Sequence, residues 1–170
     1  DVESELAVEE EKLQNVRLGD VGYTWAYDGR NDPFVVREGS LTSVETRLFS
    51  PVFLSEESFL KVFTQASYTH TFDNGTGVAS LARLGLELPY GGTSVVPISE
   101  RFFAGGDSTV RGFPRDGLGP MTSNGVPAGG EAVFILNEEF RFPIYKSIRG
   151  VTFVDAGNVW SEASDLKFSD

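Results

Sequence analysis

Cysteine is absent from this 170-residue chain, which removes any disulfide framework and any thiolate metal site. There is a single histidine, His70, so a histidine-based triad or metal cluster is poorly supplied. Cations are scarce: 14 Lys and Arg stand against 25 Asp and Glu, a formal net charge of −11. Phosphate binding needs the opposite sign, so nucleic acid is not an expected partner. No apolar run approaches the ~20 residues of a membrane helix. The acidic start at Asp1 has the wrong charge for a signal peptide, and none is expected. A transmembrane β-strand needs only ~9–11 residues of alternating character, so these absences leave a barrel open.

What the chain does have is 14 Phe, 19 Gly and 8 Pro in a composition that is 40% hydrophobic, the profile of strands and turns. Residues 1–16, with Glu3, Glu5, Glu9, Glu10 and Glu11, read as a solvated loop or short helix at the edge of the domain. Six strands are predicted from alternation. The first, Arg17 to Asp28, sets Val21, Tyr23, Trp25 and Tyr27 on one face. The second, Ser40 to Phe49, follows a long turn, Gly29 to Gly39. The third, Ser58 to Phe72, opposes Leu60, Val62, Ala66 and Tyr68 to Lys61, Gln65, Ser67 and Thr69. Asp73-Asn74-Gly75 reads as a tight hairpin, because both central residues tolerate positive φ. The same residues begin the sequon Asn74-Gly75-Thr76, which the turn explains better. The fourth strand is Val78 to Leu88. The fifth, Glu131 to Phe142, places Val133, Ile135, Asn137, Glu139 and Arg141 together, with Glu138 an exception on the apolar face. The sixth, Ile148 to Trp160, groups Val151, Phe153, Asp155 and Gly157. His70, near a strand end, reads as a surface residue, and Trp25, Tyr27, Tyr68 and Trp160 as core or as an interfacial belt.

Between the fourth and fifth strands lies a segment, residues 89–130, with no helical or strand period. Loops beyond roughly 12–15 residues are uncommon and are mostly functional or disordered. Phe102, Phe103, Val110 and Phe113 argue against a solvated tail. Gly105-Gly106-Asp107-Ser108-Thr109 lacks the Gly-Lys-Ser/Thr ending of a phosphate loop, so no nucleotide, cofactor or metal is expected.

Val110-Arg111-Gly112-Phe113 behind Ala104-Gly105-Gly106 resembles the signature loop of the bacterial surface antigen family, the BamA-like outer-membrane assembly factors. Glu139-Phe140-Arg141-Phe142-Pro143 resembles that family's strand after the loop. Phe153-Val154-Asp155-Ala156-Gly157-Asn158-Val159-Trp160 resembles the next strand. The likeness is carried by residues 100–160, and by strand pattern alone over residues 17–88.

The resemblance implies an all-β antiparallel meander. It would be part of a transmembrane barrel, the family's having sixteen strands, in the bacterial outer membrane. Residues 1–170 would then be a partial barrel domain from the middle-to-late part, with an inward-folding loop and without the family's last strands. It implies a non-enzymatic role in assembling and inserting other barrel proteins. Client outer-membrane proteins, accessory assembly lipoproteins and the lipid bilayer would be its partners. A severed sheet would keep two open edges through which it could pair with a copy of itself. Translocation relatives, TamA-like or two-partner secretion transporters, share the loop motif. From another class, a soluble β-sandwich binding module has the same alternation; strand length favours the barrel.

If the turn after Pro143 centres on Lys146, Glu139 lies opposite Phe153 and Asp155 is a diagonal neighbour, roughly 7–8 Å away. Two carboxylates so placed suit a guanidinium fork between them. The resemblance implies that Arg111 fills that role from inside the lumen. A catalytic pair of acids at such a separation has no further support, since an intervening arginine would keep both ionised.

Overall fold

The computed structural model describes residues 16–166; most of the acidic segment 1–16 falls outside this range. One antiparallel sheet runs in chain order: β1 (Asp20–Asp28), β2 (Glu38–Phe49), β3 (Phe59–Thr71), β4 (Gly77–Pro89), β5 (Ala132–Tyr145) and β6 (Ile148–Trp160). The strands are 9 to 14 residues long, above the usual ~5–6 of globular proteins and of bilayer-spanning length. There is no second sheet among the described residues, which removes the sandwich reading.

Strand ends differ from those predicted where tertiary pairing overrides local pattern. β1 begins at Asp20 rather than Arg17, because Arg17 is held outside the ladder by Glu56 and by the Leu54 carbonyl. β5 begins after Glu131 and runs on to Tyr145 through an irregularity at Pro143. The β1–β2 connection, residues 29–37, is ordered by its own side chains: Asp32 Oδ1 accepts from the Phe34 and Val35 amides, and Asn31 Oδ1 from those of Arg37 and Glu38. In the β3–β4 turn, Asn74 Oδ1 accepts from the Thr76 amide and hydroxyl.

Register fixes two faces. Opposite one another on the inner face lie Arg47, Lys61 and Glu87, then Gln65, Arg83 and Ile135, then Asn137 and Asp155. The outer face carries Val21, Tyr23, Trp25, Tyr27, Tyr68, Phe140 and Val154, all exposed. Trp25, Tyr27 and Tyr68 are therefore not core residues, while Trp160 is half-buried. Glu138 is on this outer face, opposite Ser80, whose hydroxyl donates to its carboxylate at 2.6 Å. That contact accounts for the break in alternation. His70 is half-buried rather than free on the surface, edge-on to the Phe72 ring and 3.8 Å from Glu38.

Residues 90–131 fold back over the inner face. Phe102, Ala104 and Val110 pack with Val133, Ile135 and Val159 of β5 and β6, and Phe63 and Leu118 close the cluster. The inner face of β5 is thus apolar at the end where the connection enters and polar beyond Ile135. Phe113, in contrast, is exposed. A second cluster joins Phe49, stacked on Phe59 at 4.1 Å, with Val96 and Leu18. Gly85 leaves room for the connection: a Cβ there would meet the Phe102 ring at 2.6 Å.

Candidate functional site

The β4–β5 connection is not a strand or helix, yet it has internal order. Phe102 bridges to Gly130, Ala104 to Leu118 and Met121 to Pro127. These bridges form a narrow arm whose tip turns at Gly105-Gly106. Both glycines have positive φ, 115° and 90°, and a Cβ on Gly105 would lie 2.3 Å from the Pro114 carbonyl oxygen. Only glycine adopts that backbone without strain or clash. The Thr109 hydroxyl accepts from the Gly105 amide at 2.8 Å and braces the turn.

Beyond this turn, Val110 and Arg111 straddle the boundary on β5 and β6 between apolar and polar inner surface. Val110 is buried in the apolar cluster. Arg111 enters the polar part. Its Nε and Nη2 donate to the two oxygens of Asp155, each at 2.7 Å, and its Nη1 donates to Glu139 Oε1 at 2.9 Å. The Arg111 backbone amide also donates to Asp155, at 2.9 Å. The guanidinium carbon lies 3.6 Å from the centroid of the Phe153 ring, within cation–π range. Hydrogen bonds to Asp155 hold the Arg111 guanidinium above its ordinary pKa.

Register explains why these acids converge. The β5–β6 turn centres on Lys146 and Ser147, with Lys146 at φ 51°. Glu139 then pairs with Phe153 and Asn137 with Asp155. One guanidinium fork spans both acids above the Phe153 ring, a geometry that lysine's single ammonium cannot reproduce. Among the four residues of the loop motif, the structure brings Val110 and Arg111 to the sheet, while Gly112 and Phe113 face solvent.

Sequence reasoning missed several members of this site. Asn137 Nδ2 donates both to the Thr109 carbonyl at 2.7 Å and to Asp155 at 2.9 Å. Arg141 donates to Glu139 Oε2 through Nε and Nη2. Arg83 reaches from β4 to the Ser108 carbonyl at 2.9 Å and to Gln65 at 3.0 Å. All three have inward parity, the signal by which they could have been found. The side chain of Asp155 is only 2% exposed, against 24% for Arg111 and 23% for Glu139. Between the tip and β3, β4 and β5 lies a cavity of about 290 Å³, lined by Ser67, Thr69, Asp107, Arg111, Asn137 and Glu139 among others.

A cation seated between two carboxylates has no free lone pair or open position for chemistry. What this arrangement can do is fix the arm to β5 and β6. Among the described residues, no group of three or more His, Cys, Asp or Glu is placed to hold a metal ion.

The family model for the Omp85 superfamily domain matches residues 5–170. The outer membrane protein assembly factor BamA of Neisseria meningitidis serogroup B is 31% identical over 86 residues, covering 45% of this chain and 11% of that protein. The crystal structure of BamA from Haemophilus ducreyi lacking POTRA domains 1–3 superposes with a TM-score of 0.72 at 25% identity. That match covers 84% of this chain and 30% of the other. The chain thus spans less than a third of the length of either relative.

Proposed function

The chain belongs to the Omp85 superfamily, and on that premise we propose that it is a part of an outer-membrane β-barrel whose complete protein assembles and inserts other barrel proteins. Its setting is the bacterial outer membrane, and its fold is a six-stranded piece of a BamA-like barrel. In this reading residues 1–170 are a partial barrel domain, and residues 89–130 are its inward-folding signature loop. Clients are unfolded outer-membrane proteins, and accessory lipoproteins are the further partners. The work done is mechanical rather than enzymatic, and no cofactor takes part.

The observation that supports this reading best is the seating of Arg111 across Asp155 and Glu139. The arm crosses from the β4 end to the β5–β6 hairpin and ties late strands to the lumen. The apolar outer face meets lipid, and the inner face, covered by the arm, meets the lumen. Val110, Arg111, Gly112 and Phe113 are proposed as the functional motif, with Glu139 and Asp155 as its lumenal partners. The two bare strand edges, β1 and β6, would be paired in the complete barrel; in isolation they would join copies of this sheet.

Depletion of the complete protein in its host tests the proposal. General loss of folded outer-membrane barrels is expected. Loss of a single exported protein, with other barrels intact, would instead identify a secretion transporter, and loss confined to a subset of barrels a TamA-like relative.

A further inference from the structure

Apart from the Arg111 site, the arm touches the sheet at a second ionic cluster that lies near its base. Glu100 Oε2 is 3.0 Å from Arg47 Nη1 and 3.3 Å from Lys61 Nζ. Lys61 also donates to the Glu100 carbonyl. Arg47 holds Asp20 through two hydrogen bonds, at 2.9 and 3.0 Å. Lys61 Nζ lies 3.0 Å from Glu87, whose side chain is completely buried. The Lys61 ammonium also sits 4.8 Å from the Phe102 ring centroid. Strands β1, β2, β3 and β4 each supply a charged group here, and the arm supplies Glu100.

We propose that Glu100, through Lys61 and Arg47, is a second and independent anchor, which holds the base of the arm to the early strands while Arg111 holds its tip to β5 and β6. Two features make the anchors separable. The turn at Gly105 and Gly106, closed by its own hydrogen bonds to Thr109 and Phe113, lies between them. The base also has its own closure: Phe102 and Gly130 exchange two backbone hydrogen bonds, at 2.9 and 3.0 Å. Arg101 reinforces it by donating to the Val96 carbonyl at 2.8 Å and the Ala128 carbonyl at 3.1 Å.

Glu100 is a positioning residue, and the charge arrangement makes it a clean probe. Three acidic side chains, Asp20, Glu87 and Glu100, lie around two cations. Loss of Glu100 leaves Arg47 on Asp20 and Lys61 beside Glu87, so both cations keep a partner. Loss of Lys61 would orphan Glu87 and damage the sheet itself.

The inference rests on the barrel reading for the setting in which the arm works, and the test reads the arm alone. The complete barrel protein in lipid vesicles is digested with trypsin. Residues 90–131 offer three sites: Arg101 at the base, Arg111 at the tip and the exposed Arg115, which is first replaced by Gln. Glu100→Ala is expected to speed cleavage at Arg101 by on the order of tenfold, the scale of local opening after loss of one partly buried contact, and to leave Arg111 protected. Asp155→Ala is expected to do the reverse. Glu100→Gln should match Glu100→Ala, because the charge is what binds. In unmutated protein, salt should speed cleavage at Arg101, and Glu100→Gln should abolish that dependence, which a purely structural contact would not. Cleavage at both sites after either substitution overturns independence. Should a variant fail to fold, amide exchange of the unmutated protein decides: different protection at Phe102 and Arg111 supports two anchors, and equal protection overturns them. Client insertion is scored separately, so its failure with the digestion pattern intact counts against the assembly reading and not against this one.

Discussion

Replacing Arg111 by alanine removes three charge-assisted hydrogen bonds and a face contact with Phe153. Asp155, almost fully buried, keeps only the Asn137 amide and the residue 111 backbone amide as donors. Breaking one side of a buried ion pair costs about 3–5 kcal/mol. The guanidinium and Glu139 are each about a quarter exposed, so part of that cost is returned by water, which leaves roughly 2–4 kcal/mol. The cation–π contact adds about 0.5–1 kcal/mol at such partial exposure. The docked arm should therefore lose about 3 kcal/mol, a drop in its docked-to-free ratio of roughly 150-fold. Amide exchange across residues 105–113 of the complete barrel would read this, since the Arg111 amide is itself a donor to Asp155. Arg111→Lys should recover less than half, because one ammonium cannot serve both acids. A double-mutant cycle with Asp155→Ala should give a coupling of about 2 kcal/mol. Unchanged exchange in Arg111→Ala, or a coupling below about 0.5 kcal/mol, would refute the pinning argument.

Other perturbations act elsewhere in the sheet. Gly85→Ala places a methyl group 2.6 Å from Phe102 and 2.8 Å from Val133; the docked base should lose about 1–3 kcal/mol, seen as faster exchange of the Phe102 and Gly130 amides. Glu138→Leu removes a carboxylate from the lipid-facing side and should stabilise the barrel in bilayers by about 1 kcal/mol, measured by urea unfolding; a loss of stability would contradict the outward assignment. The Asp32 carboxyl accepts from the Val35 and Phe34 amides and is held below the ordinary 3.8. Its contribution to the β1–β2 turn is present above that ordinary value and fades as the pH falls through the lowered one. The Phe34 and Val35 amide shifts should follow this titration, and a midpoint at or above 3.8 would count against the turn.

Much of this architecture was legible because strands and hairpins are local. Alternation from Phe59 to Thr71 and the turn at Asn74-Gly75 carry their own signals, and the β5–β6 turn places Glu139 opposite Phe153. Arg111 was found by its motif and its acids by inward parity. The arm's interior was not legible, since bridges such as Phe102 to Gly130 follow no period. Lys61 reads as an ordinary polar position; only its cross-strand pairing with Glu87 and Glu100 from the arm reveal an ionic cluster. Glu138 broke the alternation, and the cause is a serine 58 residues away, beyond any local rule.

The arm's contacts also set an order of events. Arg111 and Asp155 are 44 residues apart, and Arg47 and Glu100 are 53 apart. Four of the five neighbouring strand pairs, by contrast, can zip from short connections, while β4 and β5 close only across the arm itself. Loop-closure entropy delays contacts between distant residues until nearer ones have formed. The base of the arm has no complete receptor until β1 to β4 are aligned, and its tip has none until β6 has joined β5. Seating of the arm therefore follows the β1–β4 meander at its base and the β5–β6 hairpin at its tip, a clasp that shuts only on strands already in register. A one-residue slip in any strand would turn its charged partner to the outer face and leave the clasp open, so the arm acts as a proofreader of its own sheet.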